Sequence, residues 1–360
     1  MTRRPFFLTQ KRPSPQTPLN SGVRAFFYMD LVATLRNKID VLDDGEYIPG
    51  LKAVLLHIET AFRHLSRGQE ADDDTAFTDA IYRTNQAFEG SIKEAYRVLA
   101  SQDPAKKRPF DIEVYLEKNK VFRSRVLSQF TTYRTEWRNP SAHDYKLDFD
   151  ESEAFLAIVS VSAFACLLLD QMTERLSYLK SQAEAEAQKQ AIAETLSGSL
   201  NASLLTRTVD VLRQFCSTYT PSLSSTLHHT ETQFIGALHG FLASAAPELT
   251  VLTEARLAKD RPFRADLIVE RGEEKLVVEL RRRIDRKNFQ NVLAQVEHYM
   301  LISGIKNGIA LFLPESLSQL EVQEIDISGI GGRLTVLSPE GSNPSLQGTL
   351  RRQAGSAPLS

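Results

Sequence analysis

The chain has 360 residues, with 43 Lys plus Arg against 45 Asp plus Glu and two cysteines. At roughly 150 residues per domain this length predicts two domains, each able to bury a core without disulfides or a structural metal. The balanced charge excludes a uniformly basic or acidic body, so contact with nucleic acid has to come from local patches. Cys166 and Cys216 are too few for a disulfide framework or a Cys-rich zinc site, and this usage suits a reducing compartment.

Residues 1–20 carry Pro5, Pro13, Pro15 and Pro18 among basic and polar residues and are expected to be a disordered tail without a secretory core. Residues 21–180 then read as an all-α helical bundle. Phe26, Phe27, Leu31, Leu35 and Ile39 make the first helical stripe, which Gly45 stops. Leu51, Leu55, Ile58, Phe62 and Leu65 make the second, closed by Gly68. Phe77, Ile81, Phe88, Ile92 and Leu99 follow an acidic helix start at 72–74. Residues 104–109 are expected to be a basic loop, and 114–137 a fourth helix. Asp150 with Glu153 resembles a capping box and opens a strongly apolar fifth helix to about residue 178. No uninterrupted apolar run reaches the roughly 18 residues of a membrane span; residues 154–169 read as a buried helix of a cytoplasmic protein with no membrane contact.

Residues 181–203 are rich in Ala, Glu and Gln, show no apolar face and are expected to be a solvated helical spacer. Residues 204–338 change pattern. An amphipathic helix at 204–215 precedes a helix begun by the Thr230/Gln233 capping signature and ending near Ala245. Strand-like runs follow at 249–257, 264–270 and 275–281, the last two joined by a turn at Arg271-Gly272. A helix at 286–302, a strand at 308–313 and a strand at 333–337 complete an α-β-β-β-α-β-(α)-β order, in which the bracketed helix is the least marked element. Residues 339–360 read as a second disordered tail. The fold class expected is therefore α plus α/β, in two domains.

Two constellations carry chemistry. In Arg138-Asn139-Pro140-Ser141-Ala142-His143 the Arg and His are about 140° apart around a straight helix. Pro140 cannot continue the preceding helix but fits the first position of a new one capped by Asn139, and the bend can swing both side chains to one side. An always-charged Arg holds a phosphate bidentately, and a His exchanges a proton near neutral pH. The pair suffices for metal-free RNA cleavage, in which the 2′-hydroxyl is the built-in nucleophile. The bland alternative is an Arg at a helix joint, paired with Glu136 or Asp144, and a His capping a carbonyl. In the second constellation, the strand period of two puts Glu279 and Arg281 about 6–7 Å apart on one face, with Asp266 on the neighbouring strand. Two such carboxylates can bind a divalent ion, and a nearby cation can steady phosphoryl charge.

Residues 23–180 resemble a HEPN domain, whose motif of an Arg, a polar residue and a His a few positions on, before a long apolar helix, is matched by Arg138, Asn139 and His143. The resemblance implies a homodimer that joins two such sets in one cleft, RNA as the partner, no cofactor, and a role in toxin or phage-defence systems. An antitoxin or a defence-system protein is the further partner it implies. Residues 226–340 resemble the PD-(D/E)xK, or restriction-endonuclease-like, superfamily. Glu231 falls where that family has an acid in its leading helix, Asp266 and Glu279-Leu280-Arg281 match the signature strands, and Gln295 and Tyr299 match its Gln-x-x-x-Tyr helix. That resemblance implies a site of Glu231, Asp266, Glu279, Arg281 and Gln295, with magnesium held by Asp266 and Glu279 and DNA as a second nucleic-acid partner. The departure is Arg281, where the family usually has Lys: Arg keeps its proton and cannot act as a base. The basic run Arg281-Arg282-Arg283 with Arg286 and Lys287 suits a phosphate backbone.

Three functions follow as expectations. The first is a nuclease effector with a catalytic Arg138, Asn139 and His143 and a C-terminal half that recognises nucleic acid. The second is a metal-dependent DNA nuclease dimerised by its helical half. The third is a non-enzymatic nucleic-acid sensor. Among smaller signals, His228-His229 lacks the partners of a metal site, Trp137 and Cys166 read as core residues, and 329–332 as a turn.

Overall fold

A computed structural model describes residues 30–143, 148–218, 231–257, 263–281, 286–313, 319–327 and 329–340; the side chains of residues 142, 143 and 286–288 lie outside that description. The N-terminal part is helical: α1 (Leu31–Asp40), α2 (Ile48–Ala71), α3 (Thr75–Leu99), α4 (Pro109–Lys118), α5 (Ser124–Tyr133), α6 (Asn139–His143) and α7 (Glu151–Ala187). The expected capping box is present. The Asp150 carboxylate accepts from the Glu153 N–H at 2.9 Å, and the Glu153 carboxylate accepts from the Asp150 N–H at 2.9 Å.

Several boundaries differ from the expectation, each for a local reason. Gly68 does not close its helix; α2 runs on to Ala71 and ends at Asp72 in the left-handed region. Gly68 is needed instead for a close approach, since a Cβ there would meet the Phe77 ring at 2.4 Å. The single helix expected over 114–137 is broken in two, at residues 119–123. α4 starts earlier, with Pro109 in its first turn, and stops where the Asn119 side-chain amide takes the Tyr115 carbonyl and Lys120 turns left-handed. An extended Arg123 then restarts the chain as α5. The bundle core stacks Phe88 on Tyr133, Phe130 and Phe164, with ring centroids 4.8, 5.5 and 5.3 Å away. Trp137 packs at its edge, as expected of a core residue.

After α7 come α8 (Lys189–Leu196), α9 (Leu204–Thr218) and α10 (Glu231–Ala245), then six strands: β1 (Thr250–Arg256), β2 (Arg264–Arg271), β3 (Glu274–Arg281), β4 (Asn307–Phe312), β5 (Leu320–Ile327) and β6 (Gly332–Pro339), with α11 (Arg286–Ser303) between β3 and β4. One mixed sheet has the order β1-β2-β3-β4-β6-β5, with β3, β4 and β6 parallel and the outer pairs antiparallel. α9 and α10 cover the face that carries Leu276, Val278 and Leu280; α11 covers the other through Phe289, Val292, Val296 and Met300. The bracketed helix is replaced by β5. Its residues alternate half-buried and exposed along an edge strand, and that alternation is a strand's period of two.

The stretch expected to be a solvated spacer is part of the packing. α7 continues to Ala187 and lies against α10, with Ser181 and Ala185 buried, while Ile192, Leu196 and Leu204 join the C-terminal core. The seam is close because α10 presents Gly236 and Gly240 one turn apart. A Cβ on Gly236 would meet the Glu174 carbonyl oxygen at 2.3 Å, and one on Gly240 the Tyr178 carbonyl oxygen at 2.1 Å. Small polar residues and glycines carry no hydrophobic signal, so periodicity does not register this face. By length and composition α7 could cross a bilayer, with an 18-residue window of mean hydropathy 2.1; half of that window is buried inside the protein. Arg207, 1% exposed, closes the junction by donating to the Leu196 carbonyl at 3.0 Å and to Glu248 at 2.8 Å.

Gly240→Ala should lower stability by about 1–3 kcal/mol, because backbone on α7 cannot yield as a side-chain tip would. Gly198→Ala, with nothing within 4 Å, is the matched control. Equal urea midpoints for the two variants would remove the seam from the account.

Candidate functional site

The first constellation sits where α5 changes its winding. Residues Arg134–Arg138 form a π-helical turn in which the Asn139 N–H donates to the Arg134 carbonyl, five residues back. The wider turn carries the chain past Pro140, which has no N–H to offer, and Asn139 stays helical rather than taking an extended cap conformation. The expected sharp bend is thus a bulge within one continuous helical path. Ser141 fixes it: its Oγ donates to the Trp137 carbonyl at 2.7 Å and accepts from the Asn85 amide at 2.7 Å, and Asn85 accepts from the Tyr133 hydroxyl at 3.0 Å. Neither Asn85 nor Tyr133 carries a sequence signal, and Ser141 stands in the motif without a role assigned to it. Only contact between α3 and the bulge gives them a role.

Arg138 is 19% exposed. Its Nη1 donates to Asn139 Oδ1 at 3.2 Å, and its Nη2 stands 3.9 Å from Glu89, not from Glu136. Its buried Nε has no hydrogen-bond partner among the described residues, and neither has Glu113 Oε1 beside it. Burial raises the Glu113 pKa, the Arg138 and Arg134 guanidinium groups lower it, and Glu89 and Glu117 raise it further. His143 closes α6, and its side chain lies outside the described residues, as does Asp144. On the stripe of α3 that faces this segment, Thr78 accepts from the Phe149 N–H at 3.2 Å, Asn85 reaches Ser141 and Glu89 reaches Arg138. Tyr82, on the same stripe, is 52% exposed. Of the basic residues nearby, Arg134 is held by Glu117 at 2.8 and 3.0 Å and Arg108 by Asp111 at 2.9 Å.

The second constellation assembles at the carboxyl end of β3. The β2–β3 ladder runs from Arg271↔Glu274 to Leu267↔Val278. Beyond it the Leu280 N–H turns to Asp266 Oδ2, at 2.8 Å, instead of to a backbone carbonyl. The strands part there, and Glu279, Arg281 and Asp266 face the gap. Arg281 Nη2 donates to Glu279 Oε1 and to Gln295 Oε1, both at 2.8 Å. Gln295 Nε2 donates to Glu279 Oε1 at 2.7 Å and to the Tyr299 hydroxyl at 2.8 Å. Glu231, in the first turn of α10, reaches within 3.8 Å of Arg281 Nη1. All five residues expected of this site stand together, with Tyr299 behind them. Residues 282–285, like the His228-His229 pair, lie outside the described residues.

The two carboxyls are strongly perturbed. Burial, together with the nearby Asp266 charge, pushes Glu279 up to about 7, against the opposing pull of Arg281. Burial pushes Asp266 up to about 6; the Leu280 N–H opposes this and Glu231 adds to it. A magnesium ion fits this donor set poorly while Arg281 stays in place, because the guanidinium already engages both carboxylates. Among the described residues no group of three or more His, Cys, Asp or Glu is arranged to hold a metal.

The two constellations share a support. Arg123, at the start of α5, pairs with Glu174 on α7, donates to Thr253 Oγ1 on β1 at 2.8 Å and stands 3.8 Å from Glu254. Arg264 on β2 donates to Ser124 Oγ at 3.0 Å. Thus α5 touches the sheet at one end, two residues from Asp266, and carries Arg138 at the other. A scan of family models and searches of the curated proteins and of solved structures find no match to this chain.

The raised carboxyl pKa values predict a pH-dependent stability. The folded protein holds these protons to higher pH than the unfolded chain, so stability is lost as pH rises from about 4 through about 6 to 7. Asp266→Asn keeps an acceptor for the Leu280 N–H and removes one buried charge. In chelator-containing buffer it should stabilise the protein by about 1–3 kcal/mol near pH 8 and by almost nothing near pH 4. A gain of the same size at both pH values, read by denaturant titration, would contradict the assignment.

Proposed function

We propose that the protein is a nuclease effector of the HEPN type that cleaves RNA without a metal, in a toxin or phage-defence setting. Its C-terminal half, of the restriction-endonuclease-like type, recognises nucleic acid. The observation that carries this reading is the state of Arg138. It is a part-buried guanidinium, 19% exposed, whose Nη1 meets only the neighbouring Asn139 and whose Nη2 stands 3.9 Å from Glu89, beyond hydrogen-bond reach. Its exposed edge therefore keeps a charged donor for a phosphate oxygen.

The chemistry follows from the residue types. Arg138 orients the scissile phosphate and Asn139 steadies Arg138. His143 takes the proton of the 2′-hydroxyl as that oxygen attacks phosphorus, or returns a proton to the departing 5′-oxygen as its bond to phosphorus breaks. The two proton transfers call for two imidazoles, which a homodimer through the helical half supplies. Tyr82, exposed on the α3 stripe beside this segment, offers a face on which a neighbouring base can stack. Free cysteines at positions 166 and 216 suit a cytoplasmic site of action.

His143→Ala should lower the rate of RNA cleavage by about 10²–10⁴-fold with an unchanged melting temperature, and wild-type cleavage should persist in EDTA. Purified protein, tRNA and messenger RNA, with and without chelator, make the test. Undiminished cleavage by His143→Ala, or complete loss in EDTA, would refute this reading.

A further inference from the structure

The pocket at the end of β3 already contains a cation, and it belongs to the chain. Around the Arg281 guanidinium stand Glu279 Oε1 and Gln295 Oε1 at 2.8 Å, the Leu280 carbonyl oxygen at 2.7 Å, Asp266 Oδ2 at 3.6 Å and Glu231 Oε1 at 3.8 Å. Carboxylates, an amide oxygen and a backbone carbonyl are the hard-oxygen set that a divalent ion takes. Here they converge on one guanidinium. Glu279 is 3% exposed and Asp266 19%, so the negative charge is largely out of water and needs a compensating cation close by.

We infer that Arg281 is the resident cation of this pocket, standing in the place of a divalent ion, and that the divalent-ion site is latent and opens when the guanidinium is removed. Three features support the assignment. The guanidinium is placed by the pocket rather than by solvent: Gln295 bridges it to Glu279, and the Tyr299 hydroxyl accepts from the same amide. Its backbone is pinned as well, because the Leu313 N–H donates to the Arg281 carbonyl at 2.8 Å. A divalent ion entering beside it would meet a like charge within a few ångströms and find the inner oxygens already accepting hydrogen bonds.

A functional consequence follows. A guanidinium carries no water whose pKa it could lower, and it does not lose its own proton. The pocket, whose one cation is already engaged by Glu279, Asp266 and Gln295, therefore lacks a means of activating water. Whatever nucleic acid the C-terminal half recognises under the proposed function, this pocket does not cut it. This inference stands on the β3 pocket alone and does not depend on the helical half being a ribonuclease.

Thermal melting near pH 8, in chelator and then with about 5 mM manganese or magnesium, tests it on the full chain. Wild type should melt at one temperature in all three buffers. Arg281→Ala, left with uncompensated buried carboxylates, should melt roughly 5–10 °C lower in chelator and recover at least about half of that loss with manganese. Adding Glu279→Gln to Arg281→Ala should abolish the recovery, which a purely structural role for Arg281 would not require. A wild type stabilised by the ions, or an Arg281→Ala protein indifferent to them, overturns the inference. If Arg281→Ala does not fold in chelator, manganese binding to wild type, read by electron paramagnetic resonance, decides: no bound ion upholds the assignment and a stoichiometric one overturns it.

Discussion

Two helices from opposite halves of the chain approach so closely that no side chain fits between them at two points, and the architecture depends on that approach. α10 sets Gly236 and Gly240 against the Glu174 and Tyr178 carbonyls of α7. At such a distance packing is backbone on backbone, rigid and intolerant of added volume. α7 is therefore a shared wall. Its first half is core for the bundle, through Ala157, Val161, Phe164 and Leu168, and its second half backs the helix that covers the sheet. Two regions that differ in composition and pattern are thus joined by a continuous 37-residue element rather than by a flexible linker.

That joint places the two chemical sites on a common frame. Arg123 ties α5 to α7 and to β1, and the same helix runs into the π turn that holds Arg138. The two sites differ in how their charges are met. At the bulge Arg138 and Arg134 stand among Glu89, Glu113 and Glu117, and the Arg138 Nε–H has no acceptor among the described residues. In the pocket beside β3, burial and the neighbouring carboxylate charge hold the protons of Glu279 and Asp266 more tightly. That pocket is satisfied from within by Arg281.

The bulge also shows how a proline can be absorbed without breaking a helix. A residue before proline is disfavoured in the helical region, yet Asn139 is there. The extra residue per turn of the π segment and the Ser141–Asn85–Tyr133 hydrogen bonds hold the conformation in place.

The sequence by itself determined most elements and one complete constellation. Apolar residues at helical or alternate spacing mark α1 to α3, α7, α11 and five of the six strands, because burial imposes those periods. The parity of a strand is enough to put Glu279 and Arg281 on one face, and the order of elements enough to bring Asp266, Glu231 and Gln295 to it. Three things were decided only by the tertiary structure. Glycines and small polar residues became the α7–α10 seam, because close approach leaves no hydrophobic mark. The 181–203 segment was drawn into the core, because a partner helix covers its small side chains. A proline that reads as a break became a bulge, because hydrogen bonds from α3, distant in sequence, made the wider turn the more stable path.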